Sequence, residues 1–526
     1  MSGLPVIVGF GGYNAAGRSS FHQGFHRMVI ESIDERSRQE TIAGLAVMMK
    51  LIGVEQGQYV DAKQRLLELA DIEQHYGQQV LEATLIRRIE IDNFDVDNTP
   101  WHQAVKLNGD ATQFTLSRKQ LPHPVPDSWS VEALNDKEVR VTMNGELSVK
   151  IDATRSIPVK SAGQLPTGFD PAELYTSRFH PRGLQMTIVG VTDAIRSMGI
   201  DWQDVVAKIE PDEVAVFSGS VMGQMDASGL GGMTQSRLLG NRVSAKQLAL
   251  GLNTMPADFI NAYVLGSVGT TGSSTGACAT FLYNLRVGLE GIQAGKYRVA
   301  IIGNSEAPVT PEIIDGFAAM SALGTLDGLK KLEGVDEPDL RRSSRPFGQN
   351  CGFTIAESTQ YIILMDDELA LELGADIHGA VTDVFINADG YKKSISAPGP
   401  GNYITLAKAV AAARELVGDE GIQQRSFIHA HGSSTPANRI TESELFDRVG
   451  EAFGIKNWPV TAVKSYVGHS IGPASGDQLI SALGSLKYNL VPGIKTIDAV
   501  AEDVHQNNLM IPLTDLDMSE QGLDVA

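Results

Sequence analysis

Short apolar runs closed by glycine alternate along this chain with longer segments whose apolar residues recur every three or four positions. Residues 5–9 read as a buried strand running into a glycine turn, Gly9-Phe10-Gly11-Gly12-Tyr13-Asn14. Residues 186–191, 213–218 and 297–302 read as further strands, residues 219–240 as a glycine-rich loop and residues 256–265 as a helix. Phe281, Leu282, Leu285, Leu289 and Ile292 keep helical spacing up to a stop at Gly295. A second series follows: strand-like residues 352–364, strand 377–386, helix 403–416, strand 426–430, helix 442–449, strand 460–463 and helix 476–488. Strands alternating with helices predict an α/β fold.

Between Ser20 and Arg182 the pattern is different. Helices are expected at 42–51 and 62–69, and the alternation across 139–149 around Asn144-Gly145 predicts a β-hairpin. This stretch breaks the βα alternation and carries no cluster of catalytic residue types, so residues 20–182 are expected to form an inserted or added subdomain. Residues 1–19 with 183–350 would then make the N-terminal half of a core, and residues 351–526 its C-terminal half.

Composition narrows the class. A chain of 526 residues, 42% hydrophobic, with 54 glycines and 6% aromatics, suits a multi-domain or duplicated α/β enzyme rich in tight turns. A formal charge of -20 argues against a general nucleic-acid binder. Two cysteines, Cys278 and Cys351, make no disulfide framework and no zinc pattern, which fits a reducing cytoplasm. No apolar segment is long enough to span a bilayer. A dinucleotide loop would need glycine at position 14, where Asn14 stands.

Three stretches carry candidate chemistry. In Gly272-Ser273-Ser274-Thr275-Gly276-Ala277-Cys278-Ala279-Thr280, small residues lead to a cysteine at the start of a helix. The partial positive charge and amide donors there favour a thiolate and an oxyanion, although a cysteine among small residues is also ordinary packing. His429-Ala430-His431-Gly432-Ser433-Ser434-Thr435-Pro436 and Lys464-Ser465-Tyr466-Val467-Gly468-His469 each put a histidine beside glycine just after a strand. His429 and His431 share a face and are a conceivable metal pair, but no further ligand stands at a suitable spacing. Cys278 with a histidine and Asn438 would suggest a papain-like hydrolase, whose local cysteine signature is absent.

Together, in this order, the three stretches resemble the active-site motifs of β-ketoacyl-acyl-carrier-protein synthases of the Cys-His-His type. The similarity covers residues 5–14 and about 186 to the end, and includes Arg345-Pro346-Phe347 and Gly352-Phe353-Thr354. The long region 20–182 points to a long-form bacterial branch that starts fatty-acid chains. The resemblance implies a thiolase-like α/β fold, with two similar βα halves in an α/β/α/β/α arrangement.

It also implies a decarboxylative Claisen condensation. Cys278 would be the nucleophile that takes an acyl group from acyl-CoA or an acyl-carrier thioester. His431 and His469 would donate hydrogen bonds to the enolate formed from malonyl-acyl carrier protein. Lys464 would hold the second histidine's loop, with Glu357 and Thr435 in support. The implied enzyme needs no metal or redox cofactor, works in the cytoplasm with acyl carrier protein as partner, and is a homodimer. Two other readings are a non-catalytic chain-length-factor-like partner, against which Cys278 speaks, and a thiolase-type acyltransferase, against which the segment Lys464 to His469 speaks.

The sequence departs from the family at Gln478, where relatives carry Glu, at Cys351 in place of Asp, and at Arg439 in place of an acid. Relatives also finish with a strand and a Gly-Phe-Gly-Gly loop that gates the acyl pocket. This chain stops at Gly522-Leu523-Asp524-Val525-Ala526, so it is expected to be truncated before that loop.

Overall fold

A computed structural model describes residues 3–107, 110–390 and 399–526. The chain divides into two compact units, Met1–Asn93 with Pro158–Ala526, and Phe94–Ile157.

The larger unit is built on a sheet in the order β3-β2-β4-β5-β1-β6, where β1 is Pro5–Asn14, β2 Val214–Gly219, β3 Thr270–Gly272, β4 Val299–Glu306, β5 Ser358–Asp366 and β6 Gly379–Ala380. Strands β2, β3 and β4 are parallel; β5 pairs antiparallel with β4 and β1, and β1 antiparallel with β6. Both faces are covered. Val6, Val8, Val299, Ile301 and Ile363 pack on the side of helix α1 (Arg182–Ser197). Ile7, Ala300, Ile302 and Ile362 pack on the other side, against Phe281, Leu285 and Leu289 of α2 (Thr280–Gln293) and Ile480 and Leu483 of α5 (Ala474–Tyr488). Period-two alternation between two greasy layers explains why these strands read as continuous apolar runs.

A second, wholly parallel sheet runs β7 (Ile428–His429), β8 (Trp458–Thr461), β9 (Leu509–Met510). Its apolar side meets Leu445, Phe446 and Val449 of α3 (Pro436–Phe453). A single turn, α4 (Lys464–Val467), follows β8. The layers are therefore helix, sheet, paired helices, sheet, helix, as the resemblance implies.

Several local expectations are corrected. Residues 186–191 lie inside α1, not in a strand: a six-residue apolar run has no period long enough to tell the two apart. The glycines after Val8 continue β1, because their missing Cβ atoms make room for neighbours; a Cβ on Gly12 would lie 1.9 Å from the Thr359 carbonyl oxygen. The helix expected at 62–69 instead spans Leu69–Glu82, opened by a capping box from Glu68 and Asp71. Of residues 377–386, only Gly379–Ala380 pairs in the sheet.

The segment 20–182, expected as one added subdomain, is divided. Residues 20–93 and 158–182 belong to the larger unit. There Ile42, Leu45, Ile72 and Val80 form an apolar cluster, and Phe25, Met28 and Val29 pack on Val463, Tyr466 and Val467. Only Phe94–Ile157 stands as its own unit, a β module. In it Asn144-Gly145 makes no hairpin. Glu138–Asn144 pairs with Ala111–Ser117, and Leu147–Arg155 pairs with Thr99–Leu107, so the chain runs on through Gly145 (φ 96°) from one sheet into the other. Among the described residues no helix is long and apolar enough to cross a membrane.

Candidate active site

Cys278 lies one residue before the N-cap of α2. The preceding residue, Ala277, has φ 49°, a left-handed conformation that costs a non-glycine residue on the order of 1 kcal/mol or more. Two polar side chains of α2 hold this turn. The Thr280 hydroxyl accepts from the Gly276 N–H at 2.9 Å and donates to the Ala277 carbonyl at 2.7 Å. The Asn284 carboxamide accepts from the Ser274 N–H at 2.8 Å and donates to the Ser274 carbonyl at 3.2 Å. Gly276 cannot carry a side chain there, because a Cβ would fall 2.3 Å from the Tyr283 ring.

The Cys278 sulfur and one ring nitrogen each of His431 and His469 lie within 4.8 Å of one another. His431 follows β7 and His469 follows α4, so chain ends at two neighbouring parallel strands deliver both imidazoles to the start of α2. The rings meet edge to face, with centroids 5.0 Å apart. His469 is buried, whereas Cys278 and His431 are half-buried, which leaves the thiol reachable.

Each histidine is held in a defined hydrogen-bonding state. Nδ1 of His469 accepts from the Ile471 N–H at 3.0 Å, so in the neutral ring the proton sits on Nε2. The Lys464 ammonium, which can only donate, lies 3.4 Å from His431 Nδ1 and donates to the His431 carbonyl at 2.7 Å. That favours the same tautomer in His431. Burial, then the adjacent Lys464 charge, holds both imidazoles well below their ordinary pKa, so both are neutral at pH 7. Two neutral N–H donors suit a ligand oxygen; a metal ion would require lone pairs at those nitrogens.

Lys464 is 2% exposed. Burial pushes its pKa down to about 8, with Cys278, Glu442 and Asp477 acting in the opposite sense. Its ammonium grips the first histidine's loop, not the second's as the resemblance implies. The Glu357 carboxylate takes a bidentate pair of bonds from Arg182 at 2.7 and 2.9 Å and one from the Leu165 N–H at 2.8 Å, and the adjacent Ala356 N–H donates to the His469 carbonyl at 3.0 Å. Burial raises the pKa of Glu357, but Arg182, the Leu165 N–H and Arg87 together outweigh burial and the net shift is downward. Thr435 lies beside Ser433, their hydroxyls 3.1 Å apart.

Sequence reasoning missed Glu442, whose two oxygens accept from the N–H groups of His431 and Gly432 at 2.8 and 2.7 Å. It also missed Thr280 and Asn284. Both are wholly buried polar residues on an apolar helix face, which is the signal that betrays them. Gln478 donates to the carbonyls of His429 and Ala430 at 2.8 and 2.7 Å, tying α5 to the end of β7.

Comparison with known proteins gives the family and the fold. Residues 108–370 match the β-ketoacyl synthase N-terminal domain, and residues 378–498 match the C-terminal domain. The chain is 64% identical over 519 residues to the β-ketoacyl-[acyl-carrier-protein] synthase FabY of Pseudomonas aeruginosa, covering 98% of this chain and 82% of that protein. The crystal structure of the P. aeruginosa ketosynthase FabY superposes with a TM-score of 0.97 at 63% identity, over 100% of this chain and 82% of that one. A ketosynthase of a type II polyketide system, solved with its acyl-carrier protein, shares the fold at a TM-score of 0.58 and 15% identity, over 98% of this chain and 94% of that one. The architecture is thiolase-like. Matched along nearly its whole length, the chain belongs to the β-ketoacyl synthase family.

Proposed function

We propose that the chain condenses an acyl group carried on Cys278 with malonyl-acyl carrier protein to give 3-ketoacyl-acyl carrier protein, at the step that initiates fatty-acid chains. Family membership makes it a condensing acyltransferase of fatty-acid biosynthesis. The observation that carries the finer reading is the convergence of one sulfur and two imidazole nitrogens within 4.8 Å, with Nε2–H as the donor left on His469.

The Cys278 thiolate attacks the carbonyl carbon of a thioester; a C–S bond forms, and the departing carrier thiolate takes up the proton that the thiol gave up. The malonyl thioester then loses carbon dioxide, and the electron pair of the broken C–C bond becomes an enolate. His431 and His469 donate to the enolate oxygen. The enolate carbon attacks the acyl-cysteine, forming the new C–C bond while the C–S bond breaks and the thiolate is regenerated. Lys464 and Glu442 act on the His431 loop, through its carbonyl and its amides. We place the enzyme in the cytoplasm as a homodimer served by acyl carrier protein; the carrier-protein complex of the polyketide ketosynthase supports that partner class.

The test offers a panel of acyl-CoA and acyl-carrier donors and measures intact mass, then adds malonyl-acyl carrier protein. An acyl mass increment that survives in Cys278→Ala overturns the nucleophile. A 3-keto product obtained only with acyl-CoA donors would identify an initiating enzyme.

A further inference from the structure

One buried carboxylate ties down the turn that carries His469. Asp477, in the first turn of α5, is 3% exposed and accepts hydrogen bonds from four side chains. Ser470 Oγ donates to Oδ2 at 2.6 Å. Asn14 Nδ2, Ser358 Oγ and Gln360 Nε2 all donate to Oδ1 at 2.9 Å. The four donors come from three places: Asn14 ends β1, Ser358 and Gln360 sit in β5, and Ser470 directly follows His469. Among the described residues no lysine or arginine forms an ion pair with Asp477; the Lys464 ammonium acts on it only at longer range, and all four of its hydrogen bonds come from neutral donors. A buried acid without a directly paired counter-ion is costly, and a full set of hydrogen bonds offsets much of that cost.

Ser470 is joined to Ile471, the residue whose N–H fixes the His469 tautomer. Ile471 has φ 60°, a conformation that a β-branched residue keeps only when its surroundings hold it there. Asp477 anchors that peptide to two strands of the main sheet. The same contact gives a role to Asn14, which in the sequence only breaks a nucleotide-binding pattern.

We propose that Asp477 is a positioning residue for the condensation: by fastening Ser470 to β1 and β5 it holds the strained Ile471 peptide that keeps His469 presenting Nε2–H. The proposal rests on the reading of His469 as an enolate donor. Asp477 touches no reacting atom, so it acts on decarboxylation and not on acyl transfer.

The experiment compares Asp477→Ala, Asp477→Asn, Ser470→Ala, the double variant of Asp477→Ala with Ser470→Ala, and His469→Ala in the full chain, measuring malonyl-carrier decarboxylation and Cys278 acylation separately. Misplacing a catalytic group by about 1 Å costs roughly 10²-fold, so Asp477→Ala should lose about that in decarboxylation kcat, with acylation and malonyl-carrier KM unchanged. Asp477→Asn should recover most of the rate, since an amide oxygen still accepts three donors and its NH2 can donate to Ser470 Oγ. Ser470→Ala should show a smaller loss that adds nothing to Asp477→Ala. Parallel loss of both half-reactions, an Asn variant as poor as the Ala variant, or multiplying losses from Ser470 and Asp477 would overturn the proposal. If Asp477→Ala does not fold, Ser470→Ala and Asp477→Asn decide: unchanged decarboxylation in Ser470→Ala overturns it. Retained decarboxylation in His469→Ala would instead remove the site reading itself.

Discussion

The backbone N–H of Ile471 donates to Nδ1 of His469 at 3.0 Å, and this bond turns a residue that could accept, donate or bind metal into a hydrogen-bond donor at Nε2. The donor role comes from the fold around the histidine. In the proposed reaction, two histidines so arranged beside a cysteine would separate the chemistry into halves, and substitutions should separate it the same way.

Cys278→Ala should abolish covalent acyl transfer. Intact-mass measurement after incubation with acyl donors reads this directly, and a mass increment on the variant would refute the assignment.

His431→Ala and His469→Ala should leave Cys278 acylation in place and slow malonyl decarboxylation. Loss of one oxyanion donor costs about 10²- to 10³-fold, or about 3–4 kcal/mol of transition-state stabilisation. Release of labelled carbon dioxide measures it; equal loss of acylation would place the histidines in the first half-reaction instead.

Decarboxylation should fall as pH rises through about 8, where Lys464 loses its proton and no longer fixes the His431 tautomer. Cys278 acylation should not share that decline. The linkage sign for stability is opposite. The folded-state pKa of Lys464 is depressed below the unfolded value, so the unfolded chain binds more protons between about 8 and the ordinary lysine range, and this residue's contribution to stability rises across that window. Single-turnover pH profiles of each half-reaction, with pH-dependent denaturation, check both parts.

Thr280→Val should slow acyl transfer and cost about 1–3 kcal/mol of stability, because it leaves the Gly276 N–H without its acceptor and removes the hydroxyl that holds the strained Ala277 turn. Denaturant titration and the acylation rate read the two effects; a variant unchanged in both would show that the turn holds without its clamp.

The sequence alone determined the βα alternation, the position of Cys278 at the start of a helix, and two histidines each following a strand. These are properties of local period and local stop signals, and β2, β4, α2 and α5 lie where that pattern puts them. It failed where local pattern is silent. The run 186–191 became part of α1 because tertiary packing buries it from more than one side, and Asn144-Gly145 continued into a second sheet because the partner strands lie elsewhere in the chain. The supports of the site were invisible for the same reason. Asn14 and Asp477 are 463 positions apart and Glu357 and Arg182 175 apart, yet the first pair shares a buried hydrogen bond and the second a half-buried one. Burial turns an unpaired polar group from harmless to costly, and only the tertiary structure decides which polar groups are buried together. The residue types of the triad could thus be read from the sequence, whereas the protonation and aim of its histidines were set by what packs against them.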